Sequence, residues 1–352
     1  MRTKESFWVK QKNDKVLCNL CPRHCKIAPG QLGLCFVRGN ENGEMKLHTY
    51  GRSSGFCIDP IEKKPLNHYL PGSPVLSFGT AGCNLFCRFC QNWDMSKARD
   101  MDVLMSEASP EAIAKAAKKH ECRAVAYTYN DPVIFYEYAV DTADACHELG
   151  LKNIAVTAGY ITEEAREAFY RPMDAVNVDL KSFSESFYKK ICGGQLGAVL
   201  ETLKYLVHQT NKWVEITTLL IPDENDSDKE LHEMCTWIRE NLGCDVPIHF
   251  SAFHPDFKMM DKERTPAQTL LRACDIAKQH DLNYVYVGNI FNREHDSTYC
   301  PKCNQLLIER NWYQLGEWNL NNGSCNKCGF DLPGVFEDAP GNWGAKRQAV
   351  RP

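Results

Sequence analysis

The sequence predicts a mixed α/β fold, a partial (β/α)6 barrel with small cysteine-rich metal-binding N-terminal and C-terminal elements. Three observations predict it. Strand-like and helix-period segments alternate between about residues 73 and 291. Eleven of the 18 cysteines in this 352-residue chain fall into three tight groups. The outer two groups lie outside the alternating stretch. They divide the chain into an N-terminal segment (1–72), the partial barrel (73–294) and a C-terminal segment (295–352).

In chain order the strand-like runs are 75–79, 124–127, 154–157, 175–178, 214–221, 248–250 and 284–287. Repeated β-α units imply a parallel sheet with right-handed crossovers. Six or seven units fall short of eight-fold closure, which leaves a splayed barrel; a flat doubly wound sheet has the same pattern. Ser109-Pro110-Glu111 supplies an N-cap, a proline in the first turn and an acidic start, and Thr265-Pro266 repeats the device. Leu231, Met234, Cys235, Ile238 and Leu242 form one helical stripe that ends at Gly243, a C-cap residue. The flanking segments carry too few apolar residues to fold unaided, so metal is expected to hold each together. The tail from Ala345 to Pro352 is expected to fray.

Composition excludes several classes. With 43% hydrophobic and 24% charged residues the chain is neither disordered nor fibrous. A net charge of −4 without Lys/Arg stripes argues against nucleic acid as a partner. Met1 to Ser6 lead into no signal-type apolar core, and no run is long enough to span a membrane. Clustered thiols in a large chain without an export signal read as metal ligands in a reducing, cytoplasmic setting.

The central group is Cys83-x3-Cys87-x2-Cys90, directly after a strand and a glycine-containing turn. Three thiolates in one short loop bind three irons of a [4Fe-4S] cube and leave the fourth iron open for a ligand, which is how a cluster becomes a catalyst. The position beyond a strand's C-terminal end is where α/β barrels place their sites. Phe89 stands ready to shield the cluster. The C-terminal group, Cys300-x2-Cys303 and Cys325-x2-Cys328, suits a closed tetrahedral site of the zinc-ribbon or rubredoxin type, for zinc or iron. The N-terminal group, Cys18, Cys21, Cys25 and Cys35, offers four thiolates for zinc or for a fully ligated auxiliary cluster, with His24 beside them. The remaining cysteines, including Cys57, Cys122, Cys146, Cys192, Cys235, Cys244 and Cys274, read as small buried hydrophobes. Glu62-Lys63-Lys64 reads as a solvated charge run.

The cysteine motif after a first strand, followed by β-α units, resembles the radical S-adenosylmethionine (SAM) superfamily. Asp59-Pro60-Ile61-Glu62-Lys63-Lys64-Pro65-Leu66, Leu70-Pro71-Gly72 and Phe78-Gly79-Thr80-Ala81-Gly82-Cys83-Asn84 resemble relatives of the pyruvate formate-lyase-activating enzyme. Within those, the N-terminal four-cysteine segment, Tyr127 to Pro132, Phe253-His254-Pro255-Asp256 and the C-terminal cysteine pairs resemble the radical SAM enzyme of the AmmeMemoRadiSam system.

The resemblance implies that Cys83, Cys87 and Cys90 bind the [4Fe-4S] cluster and that SAM chelates the open iron. It implies SAM contacts at Asp131, Thr157, Asp179 and Lys181, with His254 toward the ribose or the substrate. The chain departs from the family at two points: Asn130-Asp131-Pro132 stands where relatives carry a Gly-Gly-Glu-type segment, and Ala158 replaces the asparagine of a Thr-Asn-Gly turn. The implied activity is reductive cleavage of SAM to methionine and a 5′-deoxyadenosyl radical, which takes hydrogen from an unidentified substrate. The implied partners are a reduced flavodoxin- or ferredoxin-type donor and AMMECR-type and Memo-type proteins, with no membrane. A glycyl-radical-enzyme activase is the alternative. A non-catalytic iron-sulfur or zinc electron-transfer protein is more remote, since it has no use for an open iron or a barrel.

Overall fold

The computed structural model describes residues 6–97 and 106–352; Met1 to Glu5, part of the leader reading above, lie outside them. The central sheet begins with β1 (Arg52–Pro60) and β2 (Pro74–Gly79), which pair antiparallel. It continues through β3 (Ala124–Tyr127), β4 (Lys152–Thr157), β5 (Ala175–Asp179), β6 (Trp213–Leu220), β7 (Ile248–Ala252) and β8 (Val285–Gly288). From β2 to β8 every neighbouring pair is parallel and follows chain order. Both faces are covered, so the strands read as apolar runs: all four residues of β3 are buried. The seven strand-like runs of the sequence all occur.

The connections include α1 (Pro110–Lys119), α2 (Tyr136–Glu148), α3 (Glu163–Tyr170), α4 (Leu196–Gln209), α5 (Asp228–Asn241) and α6 (Ala267–Gln279). Ser109 caps α1 by accepting from the Ala112 amide at 3.2 Å. The stripe on α5 is buried, and Gly243 follows its end at φ +95°. Thr265 does not repeat the Ser109 device. Pro266 itself occupies the N-cap of α6. The Thr265 hydroxyl instead accepts from the Phe253 amide at 3.0 Å and donates to the Leu220 carbonyl at 2.6 Å, which ties two strand ends together.

Among the described residues β8 does not pair with the β1 side of the sheet, which stays open there as in a partial barrel. A C-terminal hairpin, β9 (Leu306–Asn311) and β10 (Gln314–Trp318), belongs to the ribbon packed there. Arg310 on β9 donates to the Asn67 carbonyl at 2.7 Å, and the chain around Val335 exchanges backbone hydrogen bonds with His68 and Leu70. The tail is not frayed: β11 (Gln348–Ala349) pairs antiparallel with β1, as the Val350 amide donates to the Phe56 carbonyl. The N-terminal element forms a small antiparallel sheet from Trp8–Lys10, Val16–Cys18 and Lys26–Ile27, packed beside the loop after β2.

Candidate active site at the carboxyl ends of the strands

The loop after β2 carries the central cysteines and is pinned from two sides. Asn130, just past β3, accepts from the Thr80 amide at 3.1 Å and donates to the Gly82 carbonyl at 2.7 Å. On the other side the Phe86 and Arg88 amides donate to the carbonyls of Cys192 and Ile191 at 2.8 and 3.0 Å. Gly82 has φ +83°, and a β-carbon there would collide with the Cys35 carbonyl of the N-terminal element.

Cys83, Cys87 and Cys90 line one wall of a cavity of about 310 Å³. No fourth thiol lines it among the described residues. The donor set therefore fits three irons of a cube with the fourth left for a ligand. Burial pushes the Cys83 thiol up to about 12 and raises that of Cys90. The neighbouring Cys192 thiol pulls Cys87 down to about 7, against its burial and with help from Lys181. Phe89 is buried and lines the same cavity. Cys192, read from sequence as a small buried hydrophobe, is buried as read and is also a direct neighbour of Cys87.

Asp131, Ala158, Asp179 and Lys181 line the opposing side. The Asp131 carboxylate accepts from Thr157 Oγ1 at 3.0 Å and the Ala158 and Val133 amides at 3.3 and 3.1 Å. The Ala158 backbone thus meets Asp131, although its side chain has no amide to offer. Thr157 is buried behind Asp131 and does not line the cavity; it orients the carboxylate. Asp179 and Lys181 are paired at 2.9 Å. His254 is brought only to the rim: its ring is 54% exposed, with Gln91 Nε2 3.0 Å from Nδ1.

A second, smaller chamber adjoins the first, sharing Pro65, Ser251 and Asn289 as walls. Glu62, His249, Asp296, Arg310, Trp312 and Tyr313 line it. The charge run of the sequence is therefore solvated at Lys63 alone. Glu62 is buried, accepts from the Gly72 amide at 2.7 Å and leaves Oε2 without a partner among the described residues. Lys64 is buried in an ion pair with Asp59 at 3.0 Å. Beneath the chamber, buried Glu215 accepts from His249 Nε2 at 2.6 Å, Trp213 Nε1 at 2.9 Å and the amides of Asn67 and His68. A signal for this network lay in the sequence, since Glu215 and His249 place ionisable groups in otherwise uncharged strands.

The C-terminal thiols are gathered as a single ion requires. All four sulfurs lie within 4.8 Å of one another, with Cys300–Cys328 at 3.6 Å and Cys303–Cys325 at 3.7 Å. A tetrahedral site with metal–sulfur bonds of about 2.3 Å has sulfur–sulfur edges of about 3.8 Å. Cys18, Cys21, Cys25 and Cys35 line one enclosed cavity of their own. Of the other cysteines, Cys122, Cys146, Cys235 and Cys274 are buried in the core as read. No helix among the described residues is long and apolar enough to cross a membrane.

The Radical SAM superfamily matches residues 78–235, which begin on β2 and end within α5. The uncharacterized protein MJ0808 of Methanocaldococcus jannaschii is 41% identical over 325 residues, covering 92% of this chain and 96% of that protein. The GTP 3′,8-cyclase of Limosilactobacillus fermentum is 22% identical over 256 residues, covering 66% of this chain and 75% of that one. A radical SAM methyltransferase from Sphaerobacter thermophilus shares the fold at a TM-score of 0.50 and 16% identity, covering 62% of this chain and 67% of that one. Cys83, Cys87 and Cys90 lie inside the matched span, and the likeness to MJ0808 runs along nearly the whole chain: residues 78–235 form a Radical SAM superfamily domain, and the chain belongs to one family with MJ0808.

Proposed function

We propose that this protein is a radical SAM oxidoreductase acting on a small polar substrate, as the radical SAM component of an AmmeMemoRadiSam system. The observation that carries the reading is the pair of adjoining chambers, one lined by Cys83, Cys87 and Cys90 and the other by buried charged groups. When bound, the [4Fe-4S] cluster and SAM supply a 5′-deoxyadenosyl radical that takes hydrogen from the substrate. The chain's own residues hold and place them. The three thiolates retain the cluster, and the Asn130 clamp keeps their loop in register. Asp131, oriented by Thr157, would hold the amine of SAM, and Lys181, paired with Asp179, would hold its carboxylate. His254 contributes at the rim. Phe89 and the packed loop exclude water.

The second chamber receives the substrate. Glu62 and Asp296 accept from its donor groups, and Arg310 meets an anionic or carbonyl group. The C-terminal ribbon, holding zinc or iron, positions Arg310, Trp312 and Tyr313 there. The packing of this ribbon against β8 and the chain after β1 favours a small molecule over a glycyl-radical-enzyme target. A reduced flavodoxin- or ferredoxin-type protein serves as electron donor in an anaerobic, cytoplasmic setting, and AMMECR-type and Memo-type proteins work beside the enzyme.

The test is to mix the reduced holoenzyme and SAM with AMMECR-type and Memo-type proteins, and separately with a glycyl-radical protein. A rise in 5′-deoxyadenosine with the former supports the reading. A glycyl EPR doublet with the latter overturns it in favour of an activase.

A further inference from the structure

The enclosed cavity of the N-terminal element has no part in the proposed function, and its geometry differs from that of the C-terminal site in a way that discriminates between metals. Among the described residues the four C-terminal sulfurs form the group gathered within 4.8 Å; the N-terminal sulfurs are not drawn together in this way, although Cys18, Cys21, Cys25 and Cys35 all line one cavity. A lone zinc ion needs its four sulfurs about 3.8 Å apart. Thiols that surround a common void at wider spacing suit a larger guest, with metal and inorganic atoms of its own between them.

Two arginines supply the second observation. Arg23 and Arg38 line the same cavity. Arg23 Nε donates to the Asn84 carbonyl at 2.9 Å, and Arg38 makes a two-pronged pair with Glu137 at 2.7 and 2.7 Å. Each guanidinium is thereby fixed, and each keeps one buried nitrogen without a partner among the described residues, Arg23 Nη2 and Arg38 Nε. Buried N–H groups left unpaired are costly and rare. An anionic guest with acceptor atoms inside the ring of thiolates would satisfy both donors.

We propose that Cys18, Cys21, Cys25 and Cys35 hold a second, fully thiolate-ligated [4Fe-4S] cluster rather than zinc, with Arg23 and Arg38 donating hydrogen bonds to its sulfides. Asn84, the neighbour of Cys83, lines this cavity too, so the two clusters share one loop as a wall. The assignment stands apart from the identity of the substrate and from the activity of the enzyme.

The experiment counts acid-labile sulfide, iron and zinc per chain after anaerobic reconstitution, since neither zinc nor a rubredoxin-type iron brings sulfide. The wild type is expected to hold about eight sulfides, and the Cys83, Cys87, Cys90→Ala variant about four, a twofold fall. Four sulfides in the wild type with zinc retained by the N-terminal thiols would overturn the assignment, and the wild-type count decides the matter even if the variant fails to fold. In the same triple variant, Arg23→Gln is expected to shift the midpoint potential of the remaining cluster downward. An unchanged potential would remove Arg23 from the cluster's surroundings.

Discussion

Lys181 Nζ lies 2.9 Å from Asp179 Oδ2, and both side chains face the cavity of the three central cysteines. Burial alone would lower the lysine pKa, yet Asp179 and the nearby thiols of Cys87 and Cys192 outweigh it and hold the ammonium well above its ordinary range. Lys181 is thus a fixed positive charge beside the cluster. Lys181→Met is expected to weaken SAM binding about 10- to 100-fold, the loss of one charge-assisted hydrogen bond. Calorimetry on the anaerobic holoprotein measures it.

Asn130 joins the end of β3 to the cluster loop through hydrogen bonds to both Thr80 and Gly82. Asn130→Ala removes both. The expected outcome is a loop that retains its cluster poorly, with sulfide content falling before the fold is lost. Sulfide analysis alongside circular dichroism separates the two effects.

Glu215 is wholly buried and accepts from His249 at 2.6 Å. Burial opposes its charge, but the bond from His249 and its other donors hold its pKa below the ordinary carboxylate range. Glu215→Ala strands these donors and is expected to cost about 3–5 kcal/mol in urea-induced unfolding. Because its folded pKa is depressed, its stabilisation is present above the ordinary carboxylate pKa and is lost as the pH falls through the folded value.

Asp296 behaves in the opposite sense. Burial raises its carboxyl to about 7, with Arg310 opposing the shift. The folded protein therefore binds a proton that the unfolded chain releases near pH 4, and stability falls as the pH rises from about 4 to 7. Asp296→Asn keeps the neutral form, so its stability should gain on the wild type across that window and hold the gain above it. Denaturation series at pH 5 and pH 8 measure the difference.

The strands were legible because a parallel sheet covered on both faces needs continuous apolar runs, which Ala124 to Tyr127 and Ile154 to Thr157 display. The three cysteines of the site were legible because they sit within one loop. The second chamber was not. Arg310 reaches it from 243 positions beyond Asn67, and no local pattern signals such a contact. Glu62 and Lys64 read as solvated because charged neighbours usually are; only the tertiary fold supplies Gly72 for one and Asp59 for the other. The motif of His254 did not foretell how deep its ring would sit; the loop after β7 places it at the rim of the cavity. Thr265 followed a capping pattern, yet the demands of two strand ends outweighed it.

Cys83, Cys87 and Cys90 are expected to hold the cluster at which SAM is cleaved. The most direct measurement is 5′-deoxyadenosine formed by the reconstituted, dithionite-reduced protein with SAM under anaerobic conditions, compared with the Cys83, Cys87, Cys90→Ala variant. Deoxyadenosine from the wild type and none from the variant is the expected result. Equal yields from both, or none from a wild type whose clusters are complete and which binds SAM, would contradict the claim.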